Sequence, residues 1–320
     1  QADVVLATNT SAGDAVLSKL PPFDLVVLDE ASQSTEPNSW IPLTQGRRAV
    51  LAGDPRQLAP TVRSRDALEG GLGVSLMERA MGLPAVAAHV HLLGTQYRMH
   101  ACISEWSSRA MYDGRLAAAE RVAVRTLVGL EGVRSEDAAF LAAPMLMLDT
   151  RKRGGALLRG CEELMSSRSL LNEGEGDVVA CHVARLLRAG VRPEGVVVIS
   201  PYAAQVENIR NRLLDMGEDF MSVEVATVDS FQGREAEAVV ISMVRSNPRG
   251  AIGFLADARR MNVAVTRARR HVAVVADSST VSANPLLEGL LRHIKLEGAW
   301  EHAADLVEPA LGSVVEVERA

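Results

Sequence analysis

The sequence predicts an α/β fold built from two parallel-sheet domains, and three observations carry that prediction. Short β-branched or aliphatic runs alternate with helix-patterned segments, the signature of parallel strands joined by crossover helices. The chain has 320 residues and 48% hydrophobic content, enough for two domains with cores of their own. Its chemistry-bearing residues gather in two clusters, before about Thr61 and after about Gln96, which puts a boundary near Leu93. The expected division is residues 1–93, then 94–282, then a C-terminal helix and acidic tail over 283–320.

In chain order, the apolar runs predict strands at Val4 to Ala7, Leu25 to Leu28, Ala49 to Ala52 and Val90 to Leu93. Further on they predict strands at Met145 to Leu148, Val196 to Ile199, Val223 to Thr227, Val239 to Met243 and Val272 to Val275. Val178, Val179, His182, Val183, Leu186 and Leu187 recur at helical spacing, with Gly190 as the stop. His182 lies on or beside that apolar face and is expected to be packed rather than a ligand. The polar stretch from Arg151 to Gly176 predicts a mobile loop. After Asp277 only Pro285 to Leu296 has a helical pattern, and the acidic end carries no motif.

No apolar run approaches the roughly 20 residues that span a bilayer. The chain opens on Gln1 and shows no signal peptide, so it is expected to be a segment of a longer protein. Cys102, Cys161 and Cys181 form no CxxC pair, which argues against a zinc site or disulfide framework and suits the reducing cytoplasm or nucleus. The net charge of −6 excludes a general basic coat for nucleic acid. Strand binding then needs a local track, for which Arg47-Arg48, Arg63 with Arg65, Arg151-Lys-Arg153 and Arg269-Arg270 are candidates. Arg151 to Arg153 is better read as solvated surface. Aromatic content of 3% excludes an extended base-stacking platform.

The chemistry starts at Leu25-Val-Val-Leu28, a buried-strand pattern that ends in Asp29-Glu30. Carboxylates at the carboxyl end of a parallel strand face the crevice where such sheets bind ligands. There an aspartate can hold Mg²⁺ and a glutamate can activate water for in-line attack. Gly53-Asp54-Pro-Arg-Gln57 follows the next strand, and the Gln57 amide is suited to orienting water beside a phosphate. In the second cluster Gln96-Tyr-Arg-Met-His100 offers the flat ring of Tyr97 and the donor fork of Arg98. Thr227 to Glu235 ends in a Gly-Arg-Glu turn, and Asn262 to Arg269 predicts a helix carrying Arg267 and Arg269. Cations beside strand ends can neutralise charge on a transferring phosphoryl group.

In sequence order, Asp29-Glu-Ala-Ser-Gln33, Leu51-Ala-Gly-Asp-Pro-Arg-Gln-Leu58, Gln96-Tyr-Arg-Met-His100, Val228-Asp-Ser-Phe-Gln-Gly-Arg-Glu235, Val244-Arg-Ser-Asn247 and Asn262-Val-Ala-Val-Thr-Arg-Ala-Arg269 resemble the motifs of superfamily 1 helicases of the Upf1-like group. The resemblance runs from Val4 to about Thr280. It implies two RecA-like domains of the P-loop NTPase class, with ATP between them and single-stranded nucleic acid across their top. It implies that Asp29 is the Mg²⁺-linked acid, Glu30 the catalytic base and Gln57 the γ-phosphate sensor. Tyr97 resembles the residue that stacks on adenine, Arg98 and Arg267 resemble arginine fingers, and Gly233, Arg234 and Glu235 fall in the turn near the nucleotide sugar and phosphates. Thr8, Thr61 and Thr227 resemble residues that touch the strand.

Two departures accompany the resemblance. The GxxxxGK[ST] phosphate loop expected before Val4 is not in this sequence, so the first domain is expected to be truncated at its N-terminus. Gly70-Gly-Leu-Gly-Val-Ser75 has no lysine and follows Gln57, so it is a loop and not a phosphate cradle. Ala59 stands where many relatives have proline, a tolerable change in loop stiffness. The expected activity is an ATP-dependent helicase or translocase moving 5′ to 3′. The rivals are a remodelling ATPase that does not unwind and a catalytically silent binding or regulatory module.

Overall fold

The computed structural model describes residues 2–134, 138–154, 161, 163–166 and 169–307. The chain divides into two compact units, Gln1–Leu92 and Leu93–Ala320.

In the first unit two short parallel strands, β1 (Val26–Leu28) and β2 (Ala49–Leu51), pair in register Val26 to Ala49 through Leu28 to Leu51. The helix between them, α1 (Glu36–Leu43), has proline in its first turn, where a missing N–H costs nothing. A second helix, α2 (Leu76–Met81), starts at Ser75, whose Oγ accepts from the Glu78 N–H at 3.1 Å. That Ser-x-x-Glu start is a capping signal visible in the sequence. The runs Val4 to Ala7 and Val90 to Leu93 are not strands. A four-residue apolar run becomes a strand only where a neighbour completes its ladder, and among the described residues of this unit only β1 and β2 form one, beside two isolated bridges, Phe23 with Gly46 and Thr35 with Ser75. Val4 and Leu6 are left 75% and 92% exposed.

The second unit holds a six-stranded sheet made of β3 (Met145–Asp149), β4 (Val196–Ser200), β5 (Glu224–Thr227), β6 (Ala236–Ser242), β7 (Ala268–Ala276) and β8 (Ala299–His302). Its order is β8-β3-β7-β6-β4-β5, and every pair is parallel. A parallel sheet covered on both faces needs strands that are apolar on both sides, and Val239, Val240, Ile241, Val272, Ala273 and Val274 are fully buried. Leu146, Leu148, Val196, Val198 and Val240 share one core with α4 (Glu173–Arg188) and α5 (Ala203–Asp215). Helices α3 (Ala101–Met111), α6 (Ala258–Val265) and α7 (Pro285–Glu297) also pack on this sheet.

Three expectations are corrected here. The stretch from Arg151 to Gly176 contains an antiparallel hairpin, Leu164–Ser166 with Ser169–Leu171, and the first turn of α4; residues 155–160, 162, 167 and 168 lie outside the described residues. The segment after 283 is not a separate tail as far as His302, because α7 packs on β3 and β8 adds an edge strand beside β3. Ala-Trp-Glu-His escapes sequence reading because an edge strand needs no apolar run; all four residues are half-buried. Residues 308–320 lie outside the described residues. Arg267 and Arg269 are not helical: α6 stops at Val265, Arg267 lies in the turn, and Arg269 is already in β7.

Candidate active site

In the first unit the chain leaves β1 through a turn that holds Glu30 at φ 51°, a left-handed conformation unfavourable for a residue with a side chain. The turn is tied to the next strand, since Ala31 N–H donates to the Ala52 carbonyl at 2.8 Å. Ser32 Oγ accepts from the Asp54 N–H at 3.1 Å. Position 53 is tight: a Cβ would stand 3.0 Å from the backbone nitrogens of Ala31 and Ser32, so the neighbouring backbone would have to give to admit a side chain. The two acidic motifs therefore form one assembly at the carboxyl ends of β1 and β2. Within it, Gln33 Nε2 donates to Glu30 Oε2 at 2.5 Å and Gln57 Nε2 to Asp54 Oδ2 at 2.9 Å. Asp29 Oδ1 accepts the Glu30 N–H at 3.0 Å, and both carboxylates are exposed.

In the second unit Gln96 shapes the turn that follows it. Its Oε1 accepts from the N–H groups of Arg98 and Met99 at 2.8 and 2.7 Å, and its Nε2 donates to the Met99 carbonyl at 2.8 Å. Met99 is buried, and the His100 N–H donates to the Arg269 carbonyl at 2.9 Å. The turn so anchored leaves the Tyr97 ring 59% exposed, with the Arg121 guanidinium 5.1 Å from its centroid. Arg98 Nε donates to Glu235 Oε2 at 2.5 Å and its Nη1 to the Thr266 carbonyl at 3.1 Å.

Glu235 is shared. Arg269 Nε donates to its other oxygen, Oε1, at 2.8 Å. Partial burial works to raise the Glu235 carboxyl, but the hydrogen bonds from Arg269 and Arg98 outweigh it and hold the group below the usual carboxylate range. Arg269 Nη1 also donates to Glu237 Oε1 at 2.8 Å, and Arg270 Nε to Glu237 Oε2 at 2.6 Å. The result is an alternating ladder, Arg98–Glu235–Arg269–Glu237–Arg270.

Arg267 differs from the expectation of a side chain presented to a ligand. It is 2% exposed. Its Nε donates to the Val263 carbonyl at 3.1 Å, Nη1 to the Arg234 carbonyl at 3.2 Å and Nη2 to Thr266 Oγ1 at 3.3 Å. Arg267 thereby joins the end of α6 to the turn that carries Glu235. Gly233 (φ 78°) gives that turn its left-handed residue. The Arg234 side chain turns away to ion-pair with Glu224 and covers the Phe231 ring, its guanidinium 4.6 Å from the centroid.

The predicted strand-contacting threonines are dispersed. Thr8 and Thr61 are exposed in the first unit, and Thr227 ends β5 in the second. Thr8 Oγ1 donates to Ser11 Oγ at 2.8 Å and Thr227 Oγ1 to Ser230 Oγ at 2.9 Å. Of the basic clusters, Arg269 and Arg270 are engaged with Glu235 and Glu237, and Arg151 and Arg153 pair with Asp149 and Asp305 at 3.2 and 2.5 Å. Arg63 is exposed.

Sequence reasoning missed Glu237 and the role of Arg269 and Arg270 in the ladder. The available signal was the spacing itself: Glu235-Ala-Glu237 opens one strand and Arg267-Ala-Arg269-Arg270 leads into its neighbour. Acids and bases at the start of adjacent strands are cross-strand partners.

Two family models, each described as an AAA domain, match residues 1–65 and 72–279. The chain belongs to the AAA domain family. Its relatives in that family are those the motifs resemble, the Upf1-like group. DNA-binding protein SMUBP-2 of Mesocricetus auratus is 45% identical over 313 residues, covering 96% of this chain and 31% of that protein. DNA polymerase alpha-associated DNA helicase A of Schizosaccharomyces pombe is 40% identical, over 87% of this chain and 40% of its own. The regulator of nonsense transcripts 1 homolog of Neurospora crassa is 39% identical, over 92% of this chain and 26% of its own. This member of the family thus spans 31% of the SMUBP-2 relative it matches. Among solved structures, the PRRSV helicase is a remote likeness at 13% identity and TM-score 0.42, covering 93% of this chain and 51% of that one. No helix among the described residues is long and apolar enough to cross a membrane.

Proposed function

We propose that the protein is an ATP-dependent nucleic-acid helicase or translocase, moving 5′ to 3′ on single-stranded DNA or RNA in the cytoplasm, the nucleus or both. The observation that carries this reading is the acidic assembly at the ends of β1 and β2, where Glu30 is held at φ 51° with its carboxylate exposed. Family membership, and relatives named as helicases, support the same reading. The two units are read as the two RecA-like halves of such a motor.

The donor set fits a Mg²⁺–nucleotide rather than a resident metal cage. No group of three or more His, Cys, Asp or Glu side chains is placed to hold a metal among the described residues. Mg²⁺ at a nucleotide takes one or two carboxylates and completes its shell with phosphate and water, and the exposed Asp29 offers that. When bound, the ion neutralises charge on the phosphates. The chain's own groups do the rest. Glu30 accepts the proton of the attacking water while Gln33 orients its carboxylate. Gln57 senses the γ-phosphate, Tyr97 stacks on the adenine, and Glu235 accepts from the sugar. Arg98 stabilises the transferring charge, with Arg267 as second arginine finger. Thr8, Thr61 and Thr227 contact phosphates of the strand, contacts that hold without reading sequence.

The burial of Arg267 favours a second reading for that residue, in which it positions Arg98 and Glu235 instead of touching the nucleotide. The test of the whole proposal is strand-stimulated ATP hydrolysis and strand separation by the full-length protein on substrates with 5′ or 3′ overhangs. Hydrolysis with 5′-tailed unwinding is expected. Hydrolysis without unwinding selects the remodelling ATPase, and strand binding without hydrolysis selects the binding module.

A further inference from the structure

We propose that Arg269 is the standby counter-ion of Glu235: it keeps that carboxylate compensated when Arg98 leaves for the nucleotide, and so positions Arg98 for release. This rests on the reading that Arg98 acts on ATP.

The placement begins with strand register. Ala236 of β6 pairs with Ala268 of β7, but Ala238 pairs with His271, so β7 carries one extra residue across that interval. Successive residues on a regular strand point to opposite faces. A bulge breaks that rule and re-aims side chains. Here it turns both Arg269 and Arg270 onto the single carboxylate of Glu237, at 2.8 and 2.6 Å. Arg269 is held from one side by Glu237 and still reaches Glu235 Oε1 at 2.8 Å. Arg270 is fixed in turn by the Thr126 carbonyl at 2.9 Å.

The charge count gives this arrangement its use. Three arginines face two glutamates along the ladder, so the departure of Arg98 leaves two for two. The Glu235 side chain is 31% exposed, and hydrogen bonds from Arg269 and Arg98 hold its carboxyl below the usual range against that partial burial, so losing both would cost it its stabilised charge. Were Arg98 its only cation, moving Arg98 to a phosphate would leave this carboxylate without a partner, and the resting pair would resist the move. With Arg269 on the second oxygen, Glu235 never lacks a partner. The Arg98 carbonyl accepts from Arg125 and its N–H donates to Gln96, so its main chain stays put while the side chain swings away from Glu235 and from the Thr266 carbonyl.

The first test is a double-mutant cycle read by thermal unfolding of the 320-residue chain. Arg98→Ala alone is expected to shift the melting temperature little, because Arg269 remains on Glu235. Arg98→Ala with Arg269→Ala is expected to shift it by more than the two single shifts together, and the excess should vanish in a Glu235→Gln background. Additive shifts, or an excess that persists with Glu235→Gln, overturn the proposal. This arm needs no nucleotide, so its failure is separate from failure of the proposed ATPase.

The second test uses the full-length protein. Arg269→Gln is expected to lower kcat for ATP by about tenfold or more, with KM little changed, because Arg98 is then the sole cation on Glu235. Arg269→Lys keeps the charge and should recover most of kcat. An unchanged kcat in Arg269→Gln, or no recovery with lysine, overturns the proposal.

Discussion

Arg267 Nη1 donates to the carbonyl oxygen of Arg234 at 3.2 Å, tying the end of α6 to the turn that presents Glu235. With the bonds to Val263 and Thr266, this makes the guanidinium part of the interior of the second unit. Arg267→Ala is expected to lower stability by about 1–3 kcal/mol, the cost of stranding buried acceptors, and to lower kcat as well. Arg267→Lys should fail on both counts, because a point charge does not replace a planar fork of donors. Melting temperature and strand-stimulated ATPase, measured on both variants, check this. Loss of kcat at an unchanged melting temperature would contradict the positioning role and leave a pure arginine finger.

Buried titratable groups are expected to give the second unit a bell-shaped stability profile with pH. His182 and His271 stack at 5.5 Å with their Nε2 atoms 3.3 Å apart, and both are fully buried. Burial holds His182 well below its ordinary range and His271 down to about 4. His271 Nδ1 lies 2.8 Å from the Ala143 carbonyl and must donate there, so in the neutral pair His182 Nε2 donates to His271 Nε2. Below pH about 6.5 the unfolded chain takes up protons that the folded chain refuses, so stability falls as the pH falls.

Glu175 acts in the opposite sense. Burial pushes its carboxyl up to about 8 against the hydrogen bonds from Ser242 and Val244. Above its unfolded value the unfolded chain has released a proton that the folded chain keeps, so this contribution is lost as the pH rises towards 8. The melting temperature is expected to peak near pH 6.5, where the two limbs meet. In Glu175→Gln the alkaline limb should flatten while the acid limb stays; an unaltered alkaline limb would contradict the assignment.

Gly190 ends α4 at φ 97°, with its N–H on the Leu187 carbonyl at 2.9 Å and the Val191 N–H on that of Leu186 at 3.1 Å. That is the Schellman pattern, which wants glycine. A Cβ there would sit 2.1 Å from the Gly132 carbonyl oxygen. Gly190→Ala is therefore expected to destabilise the unit by roughly 2–5 kcal/mol, strain and clash together. Chemical denaturation checks it; a midpoint equal to wild type would show that the loop at Gly132 yields freely.

What was legible in the sequence was local. Val196 to Ile199 and Val239 to Met243 are β-branched runs that could only be strands in a covered sheet, and they are. The helical spacing from Val178 to Leu187 and the stop at Gly190 are carried by side-chain periodicity and by one φ angle, both local properties. His182 is packed, as its place beside the apolar helix face predicts.

The rest depends on partners. Val4 to Ala7 has strand composition, but a strand also needs a ladder. Ala299–His302 lacks strand composition, but β3 offers it an edge. The bulge that brings Arg269 and Arg270 onto Glu237 is a property of register between two strands, as is the meeting of Arg98 with Glu235. The site motifs were visible as residue types, whereas the burial of Arg267 was not, because an arginine interior to a unit looks in sequence like one at its surface.

The most direct test falls on Glu30, the carboxylate held in a left-handed turn at the end of β1. In the full-length protein, Glu30→Gln is expected to cut strand-stimulated ATP hydrolysis by about 10²-fold or more, the effect of removing a general base, while ATP binding persists. The measurement is steady-state ATPase beside equilibrium binding of ATP to the same preparation. Hydrolysis lost with binding kept is the predicted result; turnover at the wild-type rate would contradict the account.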